Sequence, residues 1–296
     1  MLRLWRDRLL AGLAPAARTL ARVVWRDRLL VGFAPTELAL ARVSGGLRQR
    51  IGAKHVVPCA AVSAPEPWQG PIAALKTAIE SARGDALDVT VVLSNHFVRY
   101  AIVPWDDALA SAEEELAFAR HCFTKTYGER ARTWLLRVSE ERAGAPRLAS
   151  AIDAALLDAV NGCFPRNGKA RLASVQPYLM AAFNGCRSSM PPAGAWLMIV
   201  EAGRACLALH AQGQWQAVQN TKGEFAAPDG WATLLERERH RTGNEAADTV
   251  VVHTARGAAA NWPRSTNWKF QSAVLPARDG YSPLEDGRYV MALSAG

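Results

Sequence analysis

The chain has 296 residues, 50% of them hydrophobic and 21% charged, a globular composition that excludes a disordered protein and suits two cores or one large divided core. Its formal charge of +8 is concentrated at one end, because residues 1–50 carry ten Arg against Asp7, Asp27 and Glu37, leaving only +1 for the rest of the chain. A body this close to neutral argues against a broad phosphate-binding surface, although a local basic arm retains an affinity for anionic lipid.

The first elements are written twice. From Trp5 to Val23, thirteen of nineteen positions recur twenty residues later, from Trp25 to Val43. The first copy has basic residues before a short apolar run, as in a signal peptide, but Pro15 breaks the run and Asp7 sits among the basic residues. The second copy reads as a β-hairpin, strands 28–33 and 38–43 around the turn-like "APTE", closed by Gly45-Gly46. The first copy lacks the alternation, since Arg18 interrupts it, and no third strand follows. Leu4 to Val23 is therefore expected to be an appendage, a loosely held helix or arm. Its Trp5, Arg6, Arg8, Arg18 and Arg22 are the candidate membrane or partner contacts.

"HVVPCAAV" (55–62) predicts a third strand, "PIAALKTAIESARG" (71–84) a helix with Ile72, Leu75 and Ile79 on one face, and "DVTVVLS" (88–94) a strand buried on both faces. "NHFVRYAIVPW" (95–105) follows as an extended segment. Its His96 and Arg99 beside Phe97 and Tyr100 suit either a ligand pocket or an ordinary strand edge. Ser111, Glu114 and Gly128 frame a capped helix over 111–128, and 133–139 is a strand. The run 146–164 contains a helix, 170–176 is a strand, and 177–185 is a short helix with Pro177 in its first turn. The early order then repeats, with strands 195–203, 204–212 and 215–220, a helix over 227–243, and a strand over 248–255.

Two tandem β-β-β-α-β units, the first interrupted by an α/β insertion, form the element order of the actin-like superfamily, an α/β class with two ribonuclease-H-like halves. The expected boundaries are an appendage over 1–23, a first half over 24–176 with its small subdomain inserted at about 95–169, and a second half over 177–296. Within that superfamily the chain resembles the cytoplasmic scaffold proteins of type IV pilus assembly and type II secretion, the PilM-like and GspL-like group, over about Leu29 to Ala255. "IVPW" leading into "SAEEELAFARHCFTKTYG" is similar to that group's inserted subdomain. "ASVQPYLMAAFNG" resembles its link between halves, and "AWLMIVEAGRACLALHAQGQWQAVQN" its second three-stranded meander.

The resemblance places a nucleotide site at Gly32, Thr36, Glu201, Gly203 and Gly257, and there the chain departs from the ATP-binding pattern. Such sites need an acidic residue to hold Mg²⁺ through water, together with Gly and hydroxyl residues whose backbone approaches phosphate. The first turn, "GFAPTE" (32–37), has no Asp, and its Pro35 lacks a donor. The second, "EAGRAC" (201–206), has Glu201 where Asp would stand and Arg204 where a hydroxyl would stand, and "TARG" (254–257) keeps only Gly257. Glu201 also reads as an ordinary strand-end residue. Five scattered cysteines without a C-x-x-C pair suggest neither zinc nor disulfides, and no nucleophile motif or P-loop is present. Neither catalytic nor metal-ligating residues are assigned, and no cofactor is expected.

Function is thus expected to be recognition. The resemblance implies a non-catalytic cytoplasmic scaffold at the inner-membrane face, whose groove or sheet edge receives a peptide or tail of a membrane partner, with no nucleic-acid partner. The alternatives are an active actin-fold ATPase or phosphotransferase using ATP and Mg²⁺, or a peripheral membrane protein acting through the basic arm.

Overall fold

The computed structural model describes residues 26–46, 49–60, 66–82, 84–109, 111–225, 229–243, 247–254, 267–275, 278–283 and 285–295. The expected arm over 1–23, with Trp5, Arg6, Arg8, Arg18 and Arg22, lies outside the described residues, and so does Gly257. The chain forms two compact units: residues 1–94, 158–184 and 275–296 make unit 1, and residues 95–157 and 185–274 make unit 2.

In unit 1 the strands β1 (Asp27–Phe33), β2 (Glu37–Val43) and β3 (Ile51–Pro58) form an antiparallel meander. After helix α1 (Gln69–Ser81), strand β4 (Leu87–Leu93) runs parallel to β1. The order β3-β2-β1-β4 is completed by a later strand, Arg171–Pro177, parallel to β4. Every residue of β4 from Val89 to Leu93 is buried, Thr90 included, as in a strand covered on both faces. Register places Leu30, Gly32, Ala39, Ala41 and Val43 on one face, and the small residues among them leave room for a backbone to approach. That backbone comes from the far end of the chain. A short helix, Val290–Leu293, packs there, and Leu275, Val290, Ala292 and Leu293 share a core with Leu30, Ala41, Val43 and Ile51.

Polar contacts fix this returning segment along its length. The Ile51 N–H donates to the Asp279 carbonyl at 2.8 Å, Lys54 pairs with the buried Asp286 at 2.6 Å, Arg288 pairs with Glu37 at 2.5 Å, and Arg28 donates to the Ala295 carbonyl at 3.1 Å. Asp286 also accepts from the Ser282 N–H at 2.9 Å, so this buried carboxylate is both paired and hydrogen-bonded. Gly280 has φ +82°, and a Cβ on it would stand 2.4 Å from the Ile51 carbonyl oxygen; only glycine fits both constraints.

Unit 2 begins with the inserted segment. Strands β5 (Val98–Val103), β6 (Trp134–Val138) and β7 (Arg147–Asp153) form an antiparallel sheet in the order β5-β7-β6. Across it lies helix α2 (Ala112–Tyr127), whose start carries the expected Ser111–Glu114 capping box. Phe123, Tyr127 and Trp134 make edge and stacked ring contacts that close this small core. Helix α3 (Ala154–Gly162) follows β7, then β8 (Arg171–Pro177) of the first sheet, then α4 (Tyr178–Cys186).

The second five-stranded sheet repeats the plan of the first. Strands β9 (Ala195–Glu201), β10 (Arg204–Ala211) and β11 (Gln214–Lys222) form its meander, α5 (Asp229–Thr242) its crossover, and β12 (Thr249–Thr254) and β13 (Lys269–Ser272) its parallel partners, in the order β11-β10-β9-β12-β13. Trp196, Trp231 and Trp268 fill the core beneath α5. The Trp268 Nε1 donates to Glu236 at 2.9 Å while the Arg239 guanidinium lies 4.7 Å over its ring.

The run 146–164 holds its expected helix at α3, and a strand that the sequence did not mark precedes it: Leu148 to Ile152 is the centre of a three-stranded sheet, and the switch to α3 comes where the Asp153 carboxylate accepts from the Ala155 N–H at 3.0 Å. One boundary needs correction: the third strand starts at Ile51, four residues earlier than 55, and ends at Pro58. The two compact units are interleaved along the chain. The segment 95–157 belongs with the second sheet, because β11 lies against β5, and 275–296 belongs with the first, whose open face it fills.

Removing residues 275–296 exposes Leu30, Val43 and Ile51 and deletes Leu275, Val290 and Leu293. At about 2 kcal/mol for each buried side chain, the loss rivals the ~5–15 kcal/mol stability of a whole domain. The truncated chain is expected to lose the cooperative unfolding transition of unit 1 in urea; retention of two native-like transitions would show the segment to be dispensable.

Candidate functional site

The two hairpin turns that the sequence marks as nucleotide-contacting can be examined within their own units. In unit 1 the turn is Ala34-Pro35-Thr36. The Ala34 N–H donates to the Glu37 carbonyl at 3.1 Å, Pro35 has no N–H, and the Thr36 carbonyl accepts from the Cys59 N–H at 2.8 Å. Two of the three turn residues thus offer a phosphate no amide. Gly32 is not at the turn but buried one residue inside the end of β1. A Cβ there would stand 3.2 Å from the Ala292 nitrogen and 3.4 Å from the Met291 Cβ, so its lack of a side chain admits the returning helix Val290–Leu293, here α6. Thr36 is exposed at the tip, and its neighbour Glu37 is engaged by Arg288.

In unit 2 the turn is Ala202-Gly203, with Gly203 at φ +70°, a left-handed conformation that glycine adopts without strain. Glu201 and Gly203 therefore share this hairpin, while Gly32 and Thr36 belong to the other unit. The turn closes on the segment that opens the inserted sheet. The Glu201 carboxylate accepts from the Asn95 N–H at 3.0 Å, and the Ala202 carbonyl lies 2.9 Å from the His96 Nε2. Arg204, only 4% exposed, donates from Nη1 to the Asn220 Oδ1 at 3.0 Å. Asn220 donates in turn to the Asn95 carbonyl at 2.8 Å and the Val98 carbonyl at 3.0 Å. The Tyr100 hydroxyl donates to the Asn95 Oδ1 at 2.8 Å, and Arg99 donates to the His96 and Val98 carbonyls at 3.1 and 2.9 Å.

This polar knot has a net positive character. Burial lowers the Arg204 pKa, and the Arg99 charge lowers it further against the pull of Glu201. Burial likewise lowers the His96 pKa, helped by Arg204, so the ring sits as a neutral donor to Ala202. Arg204 Nε and Asn95 Nδ2 have no hydrogen-bond acceptor among the described residues, so the knot rests on its completed bonds. Beside it the Cys206 thiol is fully buried and its pKa driven up, leaving it a small apolar group rather than a nucleophile. Among the described residues no three His, Cys, Asp or Glu side chains come together as metal ligands.

Arg204 stands where a hydroxyl residue would approach phosphate, and the structure makes it the buried strut of the hairpin. Asn220 and Asn95 had no signal in the sequence, because a single Asn at a strand end is indistinguishable from any surface polar residue. His96 and Arg99, left open between pocket and strand edge, belong to the knot.

No protein-family model matches the chain, and no curated protein matches it by sequence. Solved structures do match. The chain is similar to the PilM–PilN type IV pilus biogenesis complex (TM-score 0.61, 15% identity, 92% of this chain and 98% of that chain covered). It is also similar to the cytoplasmic domain of EpsL, an inner membrane component of the type II secretion system of Vibrio cholerae (0.55, 13%, 90% and 92%). A third likeness is to a Bacteroides thetaiotaomicron protein with an actin-like ATPase fold (0.53, 11%, 81% and 86%). These likenesses show the fold: the chain has the actin-like ATPase architecture, with ribonuclease-H-like halves, as its element order implied. Among the described residues no helix is long and apolar enough to cross a membrane.

Two outcomes test the site. Asn220→Ala leaves Arg204 Nη1 and the Asn95 and Val98 carbonyls without their partner, and is expected to cost about 2–3 kcal/mol in urea unfolding; an unchanged midpoint would mean the knot carries no stability. On β12, His253 is 1% exposed and burial pushes its pKa down to about 4. Its neutral form is favoured in the fold, so the stability it confers is full above pH ~6.5 and is lost as pH falls toward 4, by up to about 3 kcal/mol. His253→Gln should flatten that part of the stability profile.

Proposed function

We propose that this actin-like chain is a non-catalytic scaffold of a type IV pilus or type II secretion inner-membrane platform, working on the cytoplasmic face, where it holds an extended segment of a membrane partner. The observation that carries the reading is the closure of the second hairpin. In an ATP-binding relative of this fold the turn between the first two strands of the second half presents free amides and a carboxylate to phosphate and Mg²⁺. Here the Glu201 carboxylate is engaged by the Asn95 N–H, the Ala202 carbonyl faces His96, and Arg204 is bound into Asn220. A carboxylate that already accepts a backbone N–H, next to a guanidinium it helps to neutralise, is a poor organiser of metal-bound water. The first hairpin agrees, since Pro35 lacks a donor, Ala34 uses its own, and Gly32 makes space for α6.

A fold that has closed its nucleotide-facing turns retains rigid sheets with edges and faces, and those are what a scaffold uses. The fold-level likeness to the PilM–PilN complex and to the EpsL cytoplasmic domain supports a place in such a machine. Burial of Arg204 beside Arg99 carries a desolvation cost that makes sense if rigidity between the inserted sheet and the second sheet is what is selected. A binding platform must not deform when its partner pulls on it.

Two titrations of the full chain test this. With ATP and Mg²⁺, calorimetry is expected to give no saturable heat up to millimolar nucleotide; micromolar binding with turnover would establish the ATPase alternative. With synthetic peptides copying the cytoplasmic tails of single-span membrane proteins encoded beside the gene, at least one tail is expected to bind in the micromolar range. Absence of binding by every tail would remove the scaffold reading.

A further inference from the structure

Two segments of this chain are written for one place in the first sheet. The second copy, Trp25 to Val43, supplies β1 and β2, and the thirteen positions it shares with the first are not spread evenly. Positions 25–30 and 40–43, the open end of the hairpin, are repeated without exception at 5–10 and 20–23. All six differences fall at 31, 33 and 36–39, around the turn.

The shared positions are the ones that tie the hairpin to the rest of unit 1. Arg26 pairs with Asp88 at 3.0 Å, Arg42 bridges Asp27 and Asp85 at 2.7 and 2.6 Å, and Arg28 donates to the Ala295 carbonyl. Leu30, Ala41 and Val43 share a core with the returning segment, and Gly32 admits α6. Each of these eight hairpin residues recurs twenty positions earlier. Loop length is a weak barrier as well. With 5–23 in the sheet, the connection to β3 would run over 24–50 instead of 44–50, about two doublings, which cost roughly tenfold in the equilibrium.

The turn end is different, because there the two copies cannot be exchanged. Phe33 and Leu38 are paired across the hairpin and both are 0% exposed, with Val31 and Ala39 buried beside them. At these places the first copy has Leu13, Arg18, Ala11 and Thr19. Arg18 would bring a guanidinium to the fully buried position of Leu38, at a cost of at least about a hundredfold. Ala11 and Leu13 would leave space where Val31 and Phe33 are packed, roughly tenfold each. Thr19 would add two heavy atoms opposite Gly32, in the trough that α6 fills, and Ala17 lacks the carboxylate with which Glu37 holds Arg288.

We infer that the turn residues are a register selector. They admit residues 25–43 to the β1–β2 place and bar residues 5–23, with Leu38 against Arg18 as the principal discriminator. The open end cannot choose, since it is the same in both copies. Together the differences and the longer connection favour the observed register by on the order of a hundred-thousandfold.

The test exchanges the turn residues between the copies and leaves composition unchanged. In the full chain, Ala11→Val, Leu13→Phe, Ala16→Thr, Ala17→Glu, Arg18→Leu and Thr19→Ala are combined with the reverse changes at 31, 33 and 36–39. NMR of the labelled protein reads which copy lies beside β4. Leu30 is opposite Thr90 in the unaltered chain, and Leu10 is expected to take its place in the exchanged one. Retention of the Leu30–Thr90 contact in the exchanged chain would overturn the proposal.

A second variant carries the six first-copy changes alone, so that both copies are identical and the native hairpin is untouched; it decides the matter if the exchanged chain does not fold. Only loop length then separates the registers. The Gly45 amide, which donates to Asp27 at 3.0 Å when 25–43 is in the sheet, is expected to give two signals at roughly ten to one. A single Gly45 signal would mean that something other than the turn residues holds the register, and the selector falls. It falls too if the minor signal grows with protein concentration, which would assign the exchange to a second chain.

Discussion

A buried guanidinium is the constraint around which unit 2 is arranged. Arg204 enters the interior at the first residue of β10, where removing a charge from water costs several kcal/mol unless partners replace the lost hydration. Asn220 supplies one partner from β11, the last strand of the same meander, and through its amide group it also binds the carbonyls of Asn95 and Val98. Glu201 adds the opposite charge and takes the Asn95 N–H. The inserted sheet is therefore oriented by the very turn that would serve nucleotide in an ATP-binding protein.

Unit 1 shows a parallel exchange. A glycine near the end of β1 is what a phosphate-approaching loop requires, and it is also what a closely packed helix requires. The distance from Gly32 to the Ala292 backbone assigns it to packing, and the alanines opposite it on β2 complete the shallow trough in which α6 sits. Sequence alone offers no way to separate these roles, because both ask for the same missing side chain.

Much of the architecture was legible where local and global preferences agree. The alternation of "LALARV", the unbroken "DVTVVL" and the Ser111–Glu114 box each specify their element without tertiary help, and the repeated element order carried the fold. What was not legible shares a cause in long-range contact. Leu148 to Ile152 contains two alanines and a serine, which local propensity allows in a helix, and becomes strand only because β5 and β6 bind it on both sides. The unit boundaries were hidden for the same reason, since residues 275–295 contain little periodic pattern and acquire meaning only against Leu30, Val43 and Ile51. Glu201 and Gly203 were legible as hairpin residues from their place between two strands, whereas Asn95 and Asn220 are defined by each other across 125 residues of chain.

The return of residues 275–295 to the first sheet also sets a timetable for synthesis. Strands β1 to β4 leave the ribosome early, but the segment that covers Leu30, Val43 and Ile51 is made after all of unit 2, roughly ten to forty seconds later at ordinary elongation rates. During that interval the trough over Gly32 is an apolar surface without its cover, while most of the unit 2 sheet can already pair. A cell making this chain must shelter that face, by chaperone or by the order of assembly, until its last segment arrives.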